Sequence, residues 1–165
     1  MSCTIINVRL EHTIIELLRR RGATLAVAES CTGGLLAKRL TDIPGASEAF
    51  PGGVVAYSAQ SKTALLGVDA RLINEKGAVS REVALAMADG ARKRFGADIG
   101  IGITGVAGPD GDGSGVAPGV VFIALAASDE SFCREFKLPG GRARVRAAAA
   151  SQALKMLRKY LIPDS

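Results

Sequence analysis

A short glycine-rich turn near residue 30 holds the side chain best suited to nucleophilic chemistry. Ser30 lies in the run Ala28-Glu29-Ser30-Cys31-Thr32-Gly33-Gly34, between a short apolar segment and a segment with helical periodicity. A serine just before a helix has its hydroxyl near unpaired N–H groups and the positive end of the helix dipole. That setting suits a nucleophile whose product is an oxyanion. The same hydroxyl could instead only cap the helix, and spacing alone leaves both interpretations open.

The base for such a serine must come from a residue other than histidine. The only histidine, His12, lies on the polar side of the first predicted helix, with no glycine-rich turn beside it. A Ser-His-Asp triad is therefore not expected. Tyr57 and Lys62 follow the second predicted strand. The reference pKa of lysine is about 10.4, so Lys62 needs burial or a neighbouring cation to act as a base near neutrality. A solvent-exposed lysine at a helix start is the simpler alternative.

Two further segments carry groups that bind anions. The run Thr104-Gly105-Val106-Ala107-Gly108-Pro109-Asp110-Gly111 predicts a rigid loop with exposed backbone N–H groups, or else a plain connector. Arg142, Arg144 and Arg146 begin the last predicted helix, where cations oppose the helix dipole unless an anion lies nearby. A solvated helix face explains these arginines equally well.

Cofactor and metal motifs find little support. The run from Gly100 to Gly105 matches G-x-G-x-x-G, but its first glycines fall inside a predicted strand and Pro109 interrupts the loop that follows. Neither a dinucleotide nor a nucleoside triphosphate is therefore indicated. Cys3, Cys31 and Cys133 are widely spaced and predict free thiols. We expect no metal and no cofactor.

Alternating strand and helix patterns predict the framework around these residues. Helical periodicity covers residues 10–21, 35–40, 60–66, 81–95 and 142 onwards. Strand patterns cover residues 24–28, 54–57, 99–104, 120–127 and 132–138, the last two joined as a hairpin. This order predicts an α/β fold, a three-layer α/β/α sandwich with a mixed sheet of about five strands. Because no long linker divides the 165 residues, we expect one domain over residues 1–165.

Charge and hydropathy narrow the class of partner. The formal charge of +5 favours an anionic partner, either nucleic acid or a phosphorylated metabolite, but the basic residues are spread along the chain. No apolar run approaches the ~20 residues that cross a bilayer. The opening segment, Met1 to Leu10, also lacks the pattern of a signal peptide. We therefore expect a cytoplasmic protein with no membrane partner.

Taken in order, these motifs resemble those of the nicotinamide-nucleotide amidase family, which is built on the CinA C-terminal domain. Residues 28–34 reproduce its A-E-S-C-T-G-G signature, and residues 104–111 resemble its T-G-x-A-G-P-D-G block. The other three blocks are matched by Gly53 to Ser58 with Lys62, by Gly77 to Ser80 with Met87-Ala88, and by Gly141-Arg142 with Val145-Arg146. Five ordered blocks over about residues 10–160 make the match specific.

The resemblance implies hydrolysis of the carboxamide of nicotinamide mononucleotide (NMN) to nicotinic acid mononucleotide and ammonia, in pyridine-nucleotide recycling. It implies that Ser30 is the nucleophile, that Lys62 is its base and that Tyr57 completes the catalytic group. The substrate is then expected to lie among residues of the matched blocks: Glu29, Thr32, Gly33, Gly34, Thr104, Gly105, Arg142 and Arg146. The two arginines are the expected ligands of the 5′-phosphate.

Two positions depart from the family pattern. Ala59 stands where the second block usually has asparagine, and Val120 follows Pro118-Gly119 where the family usually has threonine. Neither change removes a proposed catalytic group.

One competing hypothesis is a non-catalytic module that binds nucleotide or nucleic acid and is linked to competence and DNA damage. The chain lacks the aromatic residues and the concentrated basic stripe expected of single-strand binders, so nucleic acid is disfavoured. A homo-oligomer stays open, as does amide hydrolysis of a different substrate.

Overall fold

The computed structural model describes residues 9–162, so the predictions for the opening segment and for Cys3 lie outside the described residues. The elements, in chain order, are α1 Leu10–Arg21, β1 Leu25–Glu29, α2 Leu35–Thr41, β2 Gly52–Val55, α3 Ala59–Leu66, α4 Ala70–Lys76, α5 Arg81–Phe95, β3 Ile99–Gly105, β4 Val120–Ala126, β5 Ser131–Lys137 and α6 Arg142–Leu161. A 3-10 turn covers Ala46–Glu48.

The five strands form one mixed sheet in the order β2-β1-β3-β4-β5. Strand β1 pairs in parallel with both β2 and β3, whereas β3, β4 and β5 pair antiparallel. The predicted mixed five-stranded sheet and its terminal hairpin are confirmed. The carboxyl ends of the three parallel strands meet at one edge, where loops can bring side chains together.

The two faces of the sheet differ in side-chain size. Ile99, Ile101 and Ile103 alternate along β3 and pack in one apolar cluster with residues of α1, α2 and α6. The intervening glycines face α5, where a Cβ on Gly100 would lie 2.0 Å from Ala88 O and one on Gly102 would lie 2.3 Å from Ala84 O. The G-x-G-x-x-G match is therefore a packing feature: its glycines let α5 approach the strand.

Helices α3, α4 and α5 cover the second face and complete three layers. Ala26 and Ala28 of β1 join Val83 and Met87 of α5 in a second apolar cluster, which also contains residues of α3 and α4. Ser80 caps the start of α5, where its hydroxyl accepts a hydrogen bond from Val83 N–H. No helix within residues 9–162 combines the length and apolarity needed to cross a membrane.

Two elements differ from the sequence prediction. Helix α4 was not predicted, because its seven residues are too few to show periodicity; Asp69 caps it by accepting from Arg71 N–H. Strand β2 begins at Gly52 and ends at Val55, two residues earlier at each end than predicted. Tyr57 consequently lies beyond the strand, on the connection to α3.

Candidate active site

Ser30 lies immediately after β1, at the edge of the sheet where the parallel strands end. Its N–H donates to Ile103 O of β3 at 2.9 Å, and Ala56 N–H donates to Glu29 O at 2.8 Å. These bonds join the end of β1 to β3 on one side and to the residue after β2 on the other. They fix the backbone that carries the Ser30 hydroxyl. Ser30 is 8% exposed, so its hydroxyl is largely shielded from bulk water.

Lys62 of α3 contacts that hydroxyl from the neighbouring element. Its Nζ lies 2.9 Å from Ser30 Oγ and donates to Ala56 O at 3.2 Å. The side chain is 2% exposed, so the alternative of a solvent-exposed lysine is wrong. Burial lowers the pKa of Lys62 because the ammonium form loses its hydration, while the nearby Cys31 acts in the opposite direction.

The start of α3 determines where Lys62 points. Ser58 and Ser61 form a capping box: the Ser58 hydroxyl accepts from Ser61 N–H at 3.0 Å, and the Ser61 hydroxyl accepts from Ser58 N–H at 2.9 Å. The helix therefore begins at Ala59, and its fourth residue carries the amine to the end of β1. A buried amine beside a serine hydroxyl can accept the hydroxyl proton when it is unprotonated.

The Glu29 carboxylate stabilises the turn by accepting hydrogen bonds from backbone N–H groups. Its Oε2 accepts from Gly34 N–H at 3.1 Å and from Leu36 N–H at 3.0 Å, and its Oε1 accepts from Ala37 N–H at 2.8 Å. The N–H groups at the start of α2 are therefore occupied by this carboxylate. The expectation that they stand unpaired near the Ser30 hydroxyl is wrong, and so is the alternative that Ser30 caps this helix.

Arg146 of α6 contacts the same turn and stabilises it. Its Nη2 donates to Thr32 O at 2.9 Å. Gly33 has a φ of +59°, and a Cβ there would lie 3.1 Å from the same Nη2. Gly33 N–H donates to Ser30 O at 3.0 Å, so it is not free to bind an oxyanion. The guanidinium therefore packs tightly against the turn that carries Ser30.

Tyr57 and Arg142 meet across the mouth of the site. Arg142 Nη2 donates to the Tyr57 hydroxyl, and its Nη1 donates to Gly108 O at 3.1 Å. The tyrosine ring is 58% exposed. Arg142 therefore links the connection before α3 with the loop after β3, and guanidinium N–H groups are left for another acceptor, because arginine has five donors.

Thr104 closes the inner wall. Its side chain is fully buried, and its Oγ1 donates to Ala78 O at 2.8 Å. This bond holds the segment before α5 against the end of β3. Gly105 ends the strand, and a Cβ there would lie 2.7 Å from Val120 O, so β4 can return close beside it.

These elements enclose a cavity of about 310 Å³ at the carboxyl edge of the sheet. Six of the predicted site residues line it: Ser30, Tyr57, Lys62, Thr104, Gly105 and Arg142. The other five predicted residues are absent from its lining: Glu29, Thr32, Gly33, Gly34 and Arg146. The contacts described above place these five within and behind the turn, where they hold Ser30 in position.

The cavity lining also includes residues that were not predicted as site residues, among them Asp110, Asp112 and Val79. Asp110 and Asp112 line the cavity from the loop after β3, and Val79 lines it from the segment before α5. The signal for Asp110 was its place in the matched block, since the loop it belongs to was already a candidate. Val79 lies in the matched block Gly77 to Ser80 but was given no role there, and Asp112 carried no signal of its own, because only the fold brings these residues to the cavity.

Cys31 also lines the cavity, next to Ser30. Burial raises the pKa of its thiol to about 11, so it is protonated near neutrality and is a poor nucleophile there. Cys31 and Cys133 are both free and buried. Among the described residues, no three His, Cys, Asp or Glu side chains lie close enough together to hold a metal ion.

Comparison with known proteins gives concordant matches over nearly the whole chain. The family model described as CinA C-terminal domain matches residues 7–161. A CinA-like protein of Acidobacterium capsulatum is 49% identical over 153 residues, which are 93% of this chain and 37% of that protein. A second CinA-like protein, from Geotalea daltonii, is 47% identical over 93% of this chain and 37% of its own length. The chain thus spans little more than a third of these curated relatives.

Solved structures agree with the sequence comparison. The crystal structure of the competence/damage inducible protein CihA from Agrobacterium tumefaciens has a TM-score of 0.88 at 38% identity, covering 92% of this chain and 93% of that one. The competence-damaged protein (CinA) superfamily protein from Escherichia coli has a TM-score of 0.86 at 32% identity, covering 92% and 90%. The architecture described above is therefore shared with these proteins.

Proposed function

Because the chain belongs to the CinA C-terminal domain family, we propose that it is an amidohydrolase that converts NMN to nicotinic acid mononucleotide and ammonia. The observation that carries the proposal is the 2.9 Å contact between Ser30 Oγ and the buried Lys62 Nζ. A serine paired with an amine of lowered pKa is a nucleophile with its own base. Such a pair has no evident use in a module that only binds its ligand.

The reaction proceeds through an acyl-enzyme. Ser30 Oγ attacks the carboxamide carbon while Lys62 Nζ accepts the hydroxyl proton, and the carbonyl oxygen becomes an oxyanion. When the C–N bond breaks, the Lys62 ammonium returns the proton to the departing nitrogen, which leaves as ammonia. Water then attacks the ester, Lys62 accepts its proton and delivers it to Ser30 Oγ, and the carboxylate product is released.

The oxyanion needs donors that the turn does not already use. Within residues 9–162, no oxygen accepts the N–H of Cys31, which follows the nucleophile and lines the cavity. Ala107 and Gly108 line the cavity from the loop after β3, and their N–H groups also have no oxygen acceptor in that range. We assign the oxyanion to these groups; one such donor is typically worth ~3–4 kcal/mol in the transition state.

The remaining cavity residues would bind and orient the nucleotide. Arg142 is the phosphate ligand in this proposal, because its guanidinium reaches the cavity mouth. Arg146, which donates to Thr32 O, is reassigned from phosphate binding to support of the turn. Tyr57 contributes its exposed ring at the mouth and keeps its hydroxyl on Arg142, so it orients the arginine and takes no part in proton transfer.

The proposal is tested by ammonia release from NMN, nicotinamide riboside and simple amides. We expect turnover of NMN by wild type and a loss of at least about a thousandfold in Ser30→Ala and in Lys62→Met. Ser47→Ala and Lys76→Met, which change exposed residues that do not line the cavity, are matched controls and should keep wild-type turnover. Nicotinamide riboside should react less efficiently because it lacks the phosphate.

Folding of each variant is checked by circular dichroism. Unchanged turnover in a folded Ser30→Ala or Lys62→Met would exclude the dyad. Release of ammonia from simple amides as fast as from NMN would keep the chemistry but exclude the nucleotide as the preferred substrate.

A further inference from the structure

Acidic side chains outnumber guanidinium groups in the cavity, although the chain as a whole is basic. The protein carries a formal charge of +5, yet Asp110 and Asp112 line the cavity together with one arginine, Arg142. The other basic lining residue is Lys62, and burial lowers its pKa, which favours the neutral amine. Burial raises the pKa of the Cys31 thiol to about 11, so Cys31 adds no negative charge near neutrality. The lining is therefore less basic than the chain as a whole.

The two carboxylates differ in what they contact. Asp112 accepts from Ser114 N–H at 3.0 Å and from the Ser114 hydroxyl, so it belongs to the structure of its own loop. Asp110 forms no hydrogen bond or ion pair with any other residue in the range 9–162, and it is exposed at the cavity wall. Arg142, which lines the same cavity, donates instead to Gly108 O and to Tyr57. Asp110 therefore keeps its full capacity to interact with a ligand.

An uncompensated carboxylate in a substrate cavity repels an anion and attracts a cation. A substrate that carried only a phosphate would be opposed by this wall even with Arg142 present. A substrate that also carries a positive charge close to its amide is favoured by the same wall. The exposed ring of Tyr57 lies in the same lining and provides a second group that attracts cations through its π face.

We propose that Asp110 makes the cavity selective for a carboxamide carried on a positively charged ring. This inference rests on the proposed function and deepens it, since it specifies that the oxidised, pyridinium form of the nucleotide is the substrate and that the uncharged dihydropyridine form is discriminated against. Asp110 is assigned as a specificity residue that contacts the substrate's ring charge, while Arg142 contacts the phosphate at the other end.

The experiment compares NMN with its reduced, dihydro form, which keeps the amide, ribose and phosphate but has an uncharged ring. Ammonia release is measured for wild type, Asp110→Asn, Asp110→Glu and the exposed control Asp42→Asn. The two amides differ in intrinsic reactivity, but that difference is the same for every variant and cancels when their substrate ratios are compared. The result therefore isolates the effect of the carboxylate.

We expect Asp110→Asn to lower kcat/KM for NMN about fivefold, mainly through KM, and to change kcat/KM for the reduced form less than twofold. Asp110→Glu, which keeps the charge, should stay closer to wild type, and Asp42→Asn should match wild type. An equal fall for both nucleotides, or no change for NMN, would overturn the inference.

Failure of the proposed function would be recognised separately, by the absence of ammonia release from NMN by wild type. Binding of the two nucleotides is then measured by calorimetry with wild type and Asp110→Asn. Loss of affinity confined to the charged nucleotide supports selection of a cation by Asp110. Equal affinity of the two proteins for NMN overturns it.

Discussion

The amine of Lys62 is the residue whose chemistry depends most on burial. In water the ammonium form would persist to about pH 10.4 and could not accept a proton near neutrality. Inside the protein the lowered pKa makes the neutral form accessible, and Ser30 Oγ and Ala56 O are the only partners of its Nζ among the described residues. The burial that would let Lys62 act as a base therefore destabilises its charged form.

The cost of burying the Lys62 ammonium predicts that Lys62→Met is more stable than wild type, by an amount that depends on pH. Because the pKa of Lys62 is lower in the native protein than in the unfolded chain, the unfolded chain binds an extra proton between these two pKa values, and wild-type stability there is reduced. We expect the variant to be more stable than wild type by about 1 kcal/mol at pH 7. The difference should shrink as the pH rises toward about 10.4, where the unfolded lysine also loses its proton.

The measurement is urea unfolding of wild type and Lys62→Met at pH 7 and pH 10, with Lys76→Met as the control for an exposed lysine. A variant that is less stable than wild type by the same amount at both pH values would show that packing of the side chain, and not its charge, determines the effect.

At the scale of elements, a close contact made possible by a glycine sets the position of α3, the helix that carries Lys62. Gly90 of α5 faces the end of α3, and a Cβ at this position would lie 2.2 Å from Leu66 O. Leu66 is one helical turn beyond Lys62. The absence of a side chain at position 90 therefore lets α3 pack close to α5. The distance between the Lys62 amine and Ser30 depends on this close packing.

We expect Gly90→Ala to push α3 outward and to lower kcat for NMN at least about tenfold, with a smaller change in KM, because misplacement of a catalytic group by about 1 Å can cost that much or more. Gly100→Ala is the matched comparison: its Cβ would meet Ala88 O at 2.0 Å, but at the end of β3 remote from the cavity. Both variants should lose stability in urea unfolding. Equal kcat values in the two folded variants would refute a specific effect on α3.

The elements were largely predictable because their signals are local. Apolar periodicity identified α1, α5 and α6, and alternation together with turn residues identified the β4–β5 hairpin. Helix α4 was missed because seven residues span only two turns and bury little more than Ile73. A local pattern of that length does not exceed what a loop shows by chance.

The site was predictable only as far as single residues carry chemical meaning. Ser30 and Lys62 were candidates by type, and the family resemblance assigned their roles. The supporting role of Glu29 was not predicted, because its carboxylate meets residues five to eight positions later only once the turn has folded. Arg146 lies one turn after Arg142 and was expected to share its ligand. The structure instead brings Thr32 O beneath it, a contact across 114 residues that no local pattern encodes.

At the scale of the whole molecule, the sheet order places Ser30 and Thr104 at the ends of strands that lie inside the sheet. Strands β1 and β3 are flanked by strands on both sides and covered by helices on both faces, whereas β2 and β5 are the edges. Ser30 and Thr104 lie at the carboxyl ends of β1 and β3, two of the three interior strands. We therefore expect these residues to be anchored in the part of the protein that opens least often.

Native-state hydrogen exchange tests this arrangement. We expect amides of β1 and β3 to exchange only through global unfolding, and those of β5 to exchange at least about tenfold faster through local opening of the edge. The exchange is followed by NMR or by mass spectrometry of proteolytic fragments. Protection of β5 equal to that of β3, lost on dilution, would show that a second copy of the chain covers this edge in solution.

The antiparallel return of β4 has a consequence for redesign. Val106 N–H donates to Val120 O and Gly119 N–H donates to Val106 O, so the longest loop of the chain leaves from and comes back to one point beside the cavity. These two hydrogen bonds hold the ends of the loop together, and Ser30 and Lys62 belong to other segments. Foreign loops of different length can therefore be grafted between positions 112 and 118 to change what the proposed enzyme accepts, and such grafts leave Ser30, Lys62 and the segment from Ala107 to Asp110 in place.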